Sequence, residues 1–497
     1  MKKHIIALFF TFLMLSLSIW GCGKEKDEPV TVPETIVEEV AEEEPASEPA
    51  EEVPVEEISE EETTEEETAE EDTEEEEEPE YPYWWDLFDY NANYEVLAPD
   101  GEFKNLTLQP GDQPDELRIT WFSRSSSRGK VHFEPEDGSL FGGITAKANT
   151  EASISVPGYY RNSAVVEGLE SNTVYYYTLN NGGAHSPTYK YKVKDLESTD
   201  FTFTIAGDPE IGLGDEDVLS GQRSIWRVVL NRMRAQIPDS EFIITTGDQV
   251  ANPSSSIHYD YFLDNSVLYS MPLVPVVGNH DNGTGFFGDH FSLPNMSSIG
   301  QESGRDGDYW FTRGNALFMV LNSLCPQPTE VHEQFIAEAI NANPDAKWRI
   351  VISHYSPITM VERYQGVRES VKVVYDYIGE VFDIDLFIGG HDHIYTRGYF
   401  IDDDGDPIDH DDYPIVDDVE DLENEFHNPD EPIFVVFNGA TDALLREPDE
   451  DYPWSAISVQ NGVPQLTEVH ITEDRITMET HDADSWATID KFTIYKD

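Results

Sequence analysis

Five short apolar runs, each of strand length and each ending at a residue able to bind a metal ion, constrain this chain more than any other feature. Residues 201–206 run into Gly207-Asp208, and residues 242–246 into Gly247-Asp248. Residues 273–277 run into Gly278-Asn279-His280-Asp281. Residues 348–353 end at His354, and residues 386–390 at His391-Asp392-His393. Helical periodicity lies between them: Ile225, Val228, Val229, Arg232 and Met233 share one face, and Phe335, Ala339 and Ile340 another. Strands alternating with helices predict an α/β fold. Open α/β sheets place their ligands beyond the carboxyl ends of strands.

One block alone says little, because an Asp after a strand often caps a helix and a lone His is usually a core residue. Together the five strand ends offer two carboxylates, one amide and three imidazoles from Asp208, Asp248, Asn279, His354, His391 and His393. That donor set suits two metal ions. Oxygen and imidazole donors without thiolates point to Fe, Mn or Zn. Glycines before the ligands let the chain turn sharply and approach the ions.

The five blocks resemble those of the calcineurin-like metallophosphoesterases, over about Phe201 to Tyr395. The resemblance implies two packed β-sheets flanked by helices. It also implies a pair of divalent or mixed-valence metal ions. Asp208 and His393 would bind the first metal, Asp248 would bridge, and Asn279, His354 and His391 would bind the second. His280 would contact phosphoryl oxygens or protonate the leaving group, with Asp281 orienting it. The implied reaction is phosphoester hydrolysis by water or hydroxide held between the metals, with phosphomonoesters as the leading substrate class. A phosphodiesterase or nucleotidase on the same site is the nearest alternative. A non-catalytic surface binding protein is a more distant one, and the full set of six ligands argues against it.

Between about Tyr83 and Asp195 the texture is different. Short alternating segments separated by turn residues, such as residues 116–122, 164–169, 174–179 and 189–193, predict an all-β sandwich. Gly168-Leu169, Thr173, Tyr175 and Tyr177 resemble the corner of a fibronectin type III domain, and the segment is similar to the N-terminal domain of purple acid phosphatases. The expected domains are thus 83–198 and 199–497. Near the C-terminus, residues 467–472 and 475–480 alternate about Glu473-Asp474 as a hairpin.

Two departures from the purple acid phosphatases stand out. Their chromophoric Tyr, three positions after the bridging Asp, is here Ala251, so no purple colour is expected and Fe(III) at the first metal loses its usual partner. Many relatives carry a ligand His two positions after the first Asp, and here that residue is Glu210. Its carboxylate is read as either a ligand of the first metal, directly or through water, or a residue that supports the ligands or lies at the substrate mouth. Tyr395 and Arg397, just past the last block, are read either as candidates for the mouth or as a packing residue and a surface ion pair. Residues 402–406 begin an acidic insertion without the alternating ligands of an EF-hand. Cys325, His258, His290 and His332 lack ligand-like company and are read as structural.

Residues 1–21 carry Lys2-Lys3, an apolar run and a small-residue boundary, the pattern of an export signal. Ile19-Trp20-Gly21-Cys22 resembles a bacterial lipobox, which implies a lipid on Cys22 and a cell-surface lipoprotein. Residues 22–82 read as a disordered tether: between Lys24 and Glu80 there are roughly 29 acidic residues against two lysines. Only two cysteines occur in 497 residues, so no disulfide framework supports the fold. A formal charge of −70 speaks against a nucleic-acid surface, which would require clustered Lys and Arg. The expected partners are a small phosphoester and, through Cys22, a membrane. Oligomeric state is left open.

Overall fold

A computed structural model describes residues 101–497 except 138–142, 214–215, 326–328, 365–380, 399–423, 430–431, 442–445, 447 and 449–454. The leader, Cys22, the acidic tether and most of the 402–430 insertion lie outside the described residues. The described residues belong to one compact unit.

Two β-sheets make up its N-terminal part. One has the order Phe103–Pro110, Leu117–Ser123, Tyr160–Val166, Asn149–Ala152. The other is built on Lys130–Pro135 and Val174–Asn181, with Ile144–Lys147 outside the former and Tyr189–Lys192 outside the latter. The alternation of Val174–Asn181 turns Tyr175 and Tyr177 inward, where both are buried against Phe133. The Glu170 amide donates to the Tyr175 hydroxyl (3.0 Å), which ties the preceding turn to the strand.

Buried polar contacts join this sandwich to the C-terminal part of the unit. Tyr177 donates its hydroxyl to the Tyr269 carbonyl (2.6 Å). A single oxygen of Asp289 accepts from the Ser153 and Ser155 hydroxyls and from the Ile154 and Ser155 amides, at 2.6–3.1 Å. A buried carboxylate with four donors is a rigid join, because losing any donor leaves charge unsatisfied.

Two seven-stranded mixed sheets form that second part. The first runs Leu273–Pro275, Ser240–Thr245, Phe201–Ala206, Gln465–Ile471, Arg475–Asp482, Thr488–Tyr495, Glu425–His427. The second runs Tyr309–Arg313, Ala316–Leu321, Trp348–Ser353, Leu386–Gly389, Ile433–Val436, Tyr395–Gly398, Ser455–Val459. Their inner faces share one core. Phe203 stacks on Phe242 in the first sheet, and both meet Phe318 of the second edge-on. The helix Glu216–Gln236 contributes Trp226, Val229, Leu230 and Met233 to that core. The helix Thr329–Ala342 covers the other side of the second sheet through Phe335, Ile336 and Ala339.

All five strands anticipated from the sequence are present, and they fall in two packed sheets, as the resemblance implies. Phe201–Ala206, Ser240–Thr245 and Leu273–Pro275 run parallel in the first; Trp348–Ser353 and Leu386–Gly389 run parallel in the second. Their carboxyl ends converge across the seam. The C-terminal hairpin is also present, as Gln465–Ile471 paired with Arg475–Asp482.

Candidate metal centre

Asp248 lies at the centre of the converging ends and belongs to two donor groups. Donor atoms of Asp248, His354 and His391 all lie within 4.8 Å of one another, as do those of Glu210, Asp248 and His280. Asp208 and His393 close the first-metal side, with His393 Nε2 3.5 Å from both Asp208 Oδ2 and Glu210 Oε2. Asn279 closes the other side, its Oδ1 3.0 Å from His354 Nε2. The six anticipated ligands are therefore together, and Glu210 is among them.

The hydrogen bonds around these residues show which atoms remain for a cation. His354 Nδ1 donates to the Thr246 carbonyl (2.9 Å), which turns Nε2 toward Asp248 Oδ2 (3.3 Å) and Asn279 Oδ1 (3.0 Å). Three lone-pair-bearing atoms thus face one another and need a positive charge between them. Burial works against a charged His354, but the Asp248 and Asp208 carboxylates outweigh it and lift the imidazole to about 10. Without a metal, a proton takes the cation's place. Burial likewise opposes an ionised Asp248, yet His354 and His280 hold it at about 2. Burial, reinforced by the charge of His354, pushes His391 down to about 2, so its imidazole is neutral and able to coordinate.

Two observations support the fit of metal ions here. Both Glu210 oxygens and His391 Nε2 are buried with no hydrogen-bond partner. Buried polar atoms are normally satisfied, and orphaned atoms within these two donor groups fit bound cations. The cavity is also kept free of carbon: a Cβ at Gly278 would overlap Asp248 Oδ1, and one at Gly390 would overlap Asp208 Oδ1. Asp208 is itself held from outside, accepting from Thr246 Oγ1 (2.6 Å) and the His391 amide (2.7 Å).

Four of the ligand-bearing residues have left-handed backbones: Glu210 at φ +42°, Asp248 at +44°, His391 at +75° and His393 at +58°. Each such turn swings a side chain back over its strand end, at a steric cost for a residue with a Cβ.

Three expectations need correction. Asp281 does not orient His280. Its Oδ2 accepts the Gly278 and Gln249 amides, and His280 Nδ1 donates instead to the Ala251 carbonyl (2.9 Å). Burial and the Asp248 charge push the Asp281 carboxyl well up. Asp281 thus braces the loop, and the carbonyl fixes the imidazole. Nor do Tyr395 and Arg397 reach the substrate mouth. Both are fully buried on the strand Tyr395–Gly398, where Arg397 grips Asp490 with two bonds (2.8 and 3.1 Å) and Tyr395 donates to the same carboxylate (2.7 Å). Of the residues read as structural, His290 and His332 conform. His290 stacks on Tyr259 at 4.0 Å, and His332 pairs with buried Asp308 at 2.6 Å.

Several site residues escaped sequence reading. Thr246 holds both Asp208 and His354, and only its place before the Gly247-Asp248 turn hints at that. Tyr355 and Tyr364 pack on the His391 ring at 4.6 and 4.0 Å. Arg446 donates to the His391 carbonyl (3.3 Å), from a segment that carries no motif.

Comparison with known proteins agrees with this geometry. The calcineurin-like phosphoesterase model matches residues 164–395, and the purple acid phosphatase N-terminal domain model matches residues 103–193. Among solved structures, purple acid phosphatase PPD1 from yellow lupin (Lupinus luteus) seeds has a TM-score of 0.62 at 16% identity. That likeness covers 80% of this chain and 74% of the lupin chain. PhoD has a TM-score of 0.50 at 14% identity, over 79% of this chain and 90% of that one. A search of curated proteins finds no match. The chain carries a calcineurin-like phosphoesterase domain behind a purple acid phosphatase N-terminal domain. It is a hydrolase of the dinuclear metallophosphoesterase class, and its reaction is metal-dependent hydrolysis of phosphoesters.

Proposed function

We propose that this enzyme hydrolyses small phosphomonoesters and that Glu210 is a ligand of its first metal. The observation that carries the reading is the shared position of Asp248 between two donor groups, with His280 on their rim. Asp208, Glu210, Asp248 and His393 would hold one ion; Asp248, Asn279, His354 and His391 would hold the other. Two ions there would lower the pKa of a shared water and neutralise charge on the phosphoryl group.

The chain's own residues supply the rest. Thr246 and the His391 amide fix Asp208, so the first site is set before any ion arrives. The Ala251 carbonyl accepts a hydrogen bond from His280 Nδ1–H and leaves Nε2 facing the site, 3.3 Å from Glu210 Oε1. The His280 side chain is 35% exposed, as a group that meets substrate must be. From Nε2 it can contact a phosphoryl oxygen or hand a proton to the departing alcohol. Loops close around it: Thr284 bonds to the Pro253 carbonyl and Asn282 to Glu302.

The leader supports export and lipidation at Cys22, which would place the enzyme at a bacterial cell surface. Mass spectrometry of the membrane fraction tests this, and an unmodified Cys22 would overturn it. For the activity, metal analysis of the purified chain is combined with turnover of a chromogenic monoester and diester. Two ions per chain with faster monoester turnover is the expected result. Fewer than two ions, or preference for the diester, would refute it.

A further inference from the structure

The dinuclear site is bordered on the His391 side by a wall of two aromatic rings and one cation. Tyr364, at the end of a 3-10 turn (Glu362–Tyr364), lies 4.0 Å from the His391 ring, and Tyr355 lies 4.6 Å from it on another side. The Arg446 guanidinium sits over Tyr364, its Cζ 5.1 Å from the ring centre, and donates one N–H to the His391 carbonyl at 3.3 Å. Arg363 packs on the same ring at 4.8 Å and donates to its hydroxyl, which fixes the ring in place.

Among the described residues no carboxylate is in ion-pair contact with Arg446; its contacts are a carbonyl oxygen and a ring face. A carbonyl and an aromatic face orient a guanidinium while leaving its formal charge intact. That is unusual company in a chain with 100 acidic and 30 basic residues.

We propose that Arg446, held by Tyr364 and the His391 carbonyl, is a substrate-binding residue for the non-bridging phosphoryl oxygens and biases the site toward monoester dianions over diester monoanions. The inference rests on the reading of the site as a phosphoesterase and adds a source of selectivity to it. Asp208, Glu210 and Asp248 offset most of the charge two divalent ions would bring. One further cation then matters more to a ligand of charge −2 than to one of −1, because Coulomb energy scales with the product of charges. Arg446 is suited to the task, since its planar fork offers paired donors to two phosphoryl oxygens. Tyr364 is a positioning residue that acts through Arg446.

The test uses the full chain loaded with metal, as wild type, Arg446→Ala, Arg446→Lys and Tyr364→Leu. Each is assayed on p-nitrophenyl phosphate and bis(p-nitrophenyl) phosphate, with orthophosphate affinity by calorimetry and metal content by elemental analysis. Arg446→Ala should lower monoester kcat/KM by about 10- to 100-fold, the range for one charged hydrogen-bond partner. Diester kcat/KM should fall several-fold less, orthophosphate should bind correspondingly more weakly, and both metals should remain. Arg446→Lys should recover part of the loss, and Tyr364→Leu should raise monoester KM with little change in kcat. An unchanged monoester-to-diester ratio with unchanged orthophosphate affinity would overturn the proposal, as would loss of metal in Arg446→Ala. A wild type that binds two ions yet turns over neither ester would instead sink the phosphoesterase reading. Orthophosphate affinity would still decide whether Arg446 binds the anion.

Discussion

Replacing Glu210 with Gln removes one negative charge from the metal centre while keeping the shape of the side chain. In the metal-free protein, burial, reinforced by the charge of Asp248, lifts the Glu210 carboxyl from 4.5 to about 7. The folded chain therefore holds this proton more tightly than the unfolded chain does. Between pH 4.5 and 7 the unfolded state has released the proton and the folded state has kept it, so stability falls as pH rises through that window. At about 1.4 kcal/mol per pH step, the loss is complete above pH 7 and amounts to about 3 kcal/mol. Glu210 is only 1% exposed, so solvent screening does not erode the effect. Urea unfolding of chelator-treated wild type and Glu210→Gln at pH 4 and pH 8 measures it. The two should be similar at pH 4, and the variant should be more stable by about 3 kcal/mol at pH 8. With metal restored the order should invert, because the variant binds one of its two ions more than about tenfold more weakly. Identical pH dependence and identical metal affinity in the two proteins would refute the placement of this carboxylate at the first metal.

His280→Ala should lower kcat by about 10²- to 10⁴-fold while both metals stay bound, as steady-state kinetics and metal analysis would show. Metal binding should expel a proton from His354, whose imidazole stands at about 10 without a metal. Affinity should therefore rise with pH up to that value, and calorimetry in buffers of different ionisation heat should detect the release. Asp490→Ala removes the buried carboxylate that both Arg397 and Tyr395 bond, so unfolding free energy should drop by about 3–5 kcal/mol with KM unaltered. A KM defect without loss of stability would return Arg397 to the substrate mouth.

The parts of this site that could be read in the sequence are those encoded locally. A strand of alternating or wholly apolar residues followed by glycine and a donor occupies fewer than ten positions, so the blocks at Asp208, Asp248, Asn279, His354 and His391–His393 declared themselves. The distribution of those strands over two sheets was legible only through the family resemblance, since pairing of Phe201–Ala206 with Gln465–Ile471 is a contact far along the chain. The role of Asp281 was misjudged for a related reason. Adjacency to His280 suggested a carboxylate–imidazole pair, but the partner is a backbone carbonyl at Ala251, and every residue has one. The choice between mouth and ion pair stayed open for Arg397 because its counter-charge, Asp490, is 93 residues away, and the pair becomes visible only when both strands are in place. Arg446 lies in no motif, and its relevance comes entirely from the ring it rests on.

The left-handed turns at Glu210, Asp248, His391 and His393 have a consequence for how this enzyme tolerates losing its ions. Each departs from its local preference by about 1–2 kcal/mol, and these turns bring carboxylates and imidazoles together that would otherwise relax apart. Coordination is therefore a structural clamp as well as a chemical device. Emptied of metal, the strand ends become the part of the scaffold with the most to gain by opening, and the sheets behind them remain intact. Ion retention and resistance of these turns to proteolytic nicking then become a single trait, and selection acting on one acts on the other.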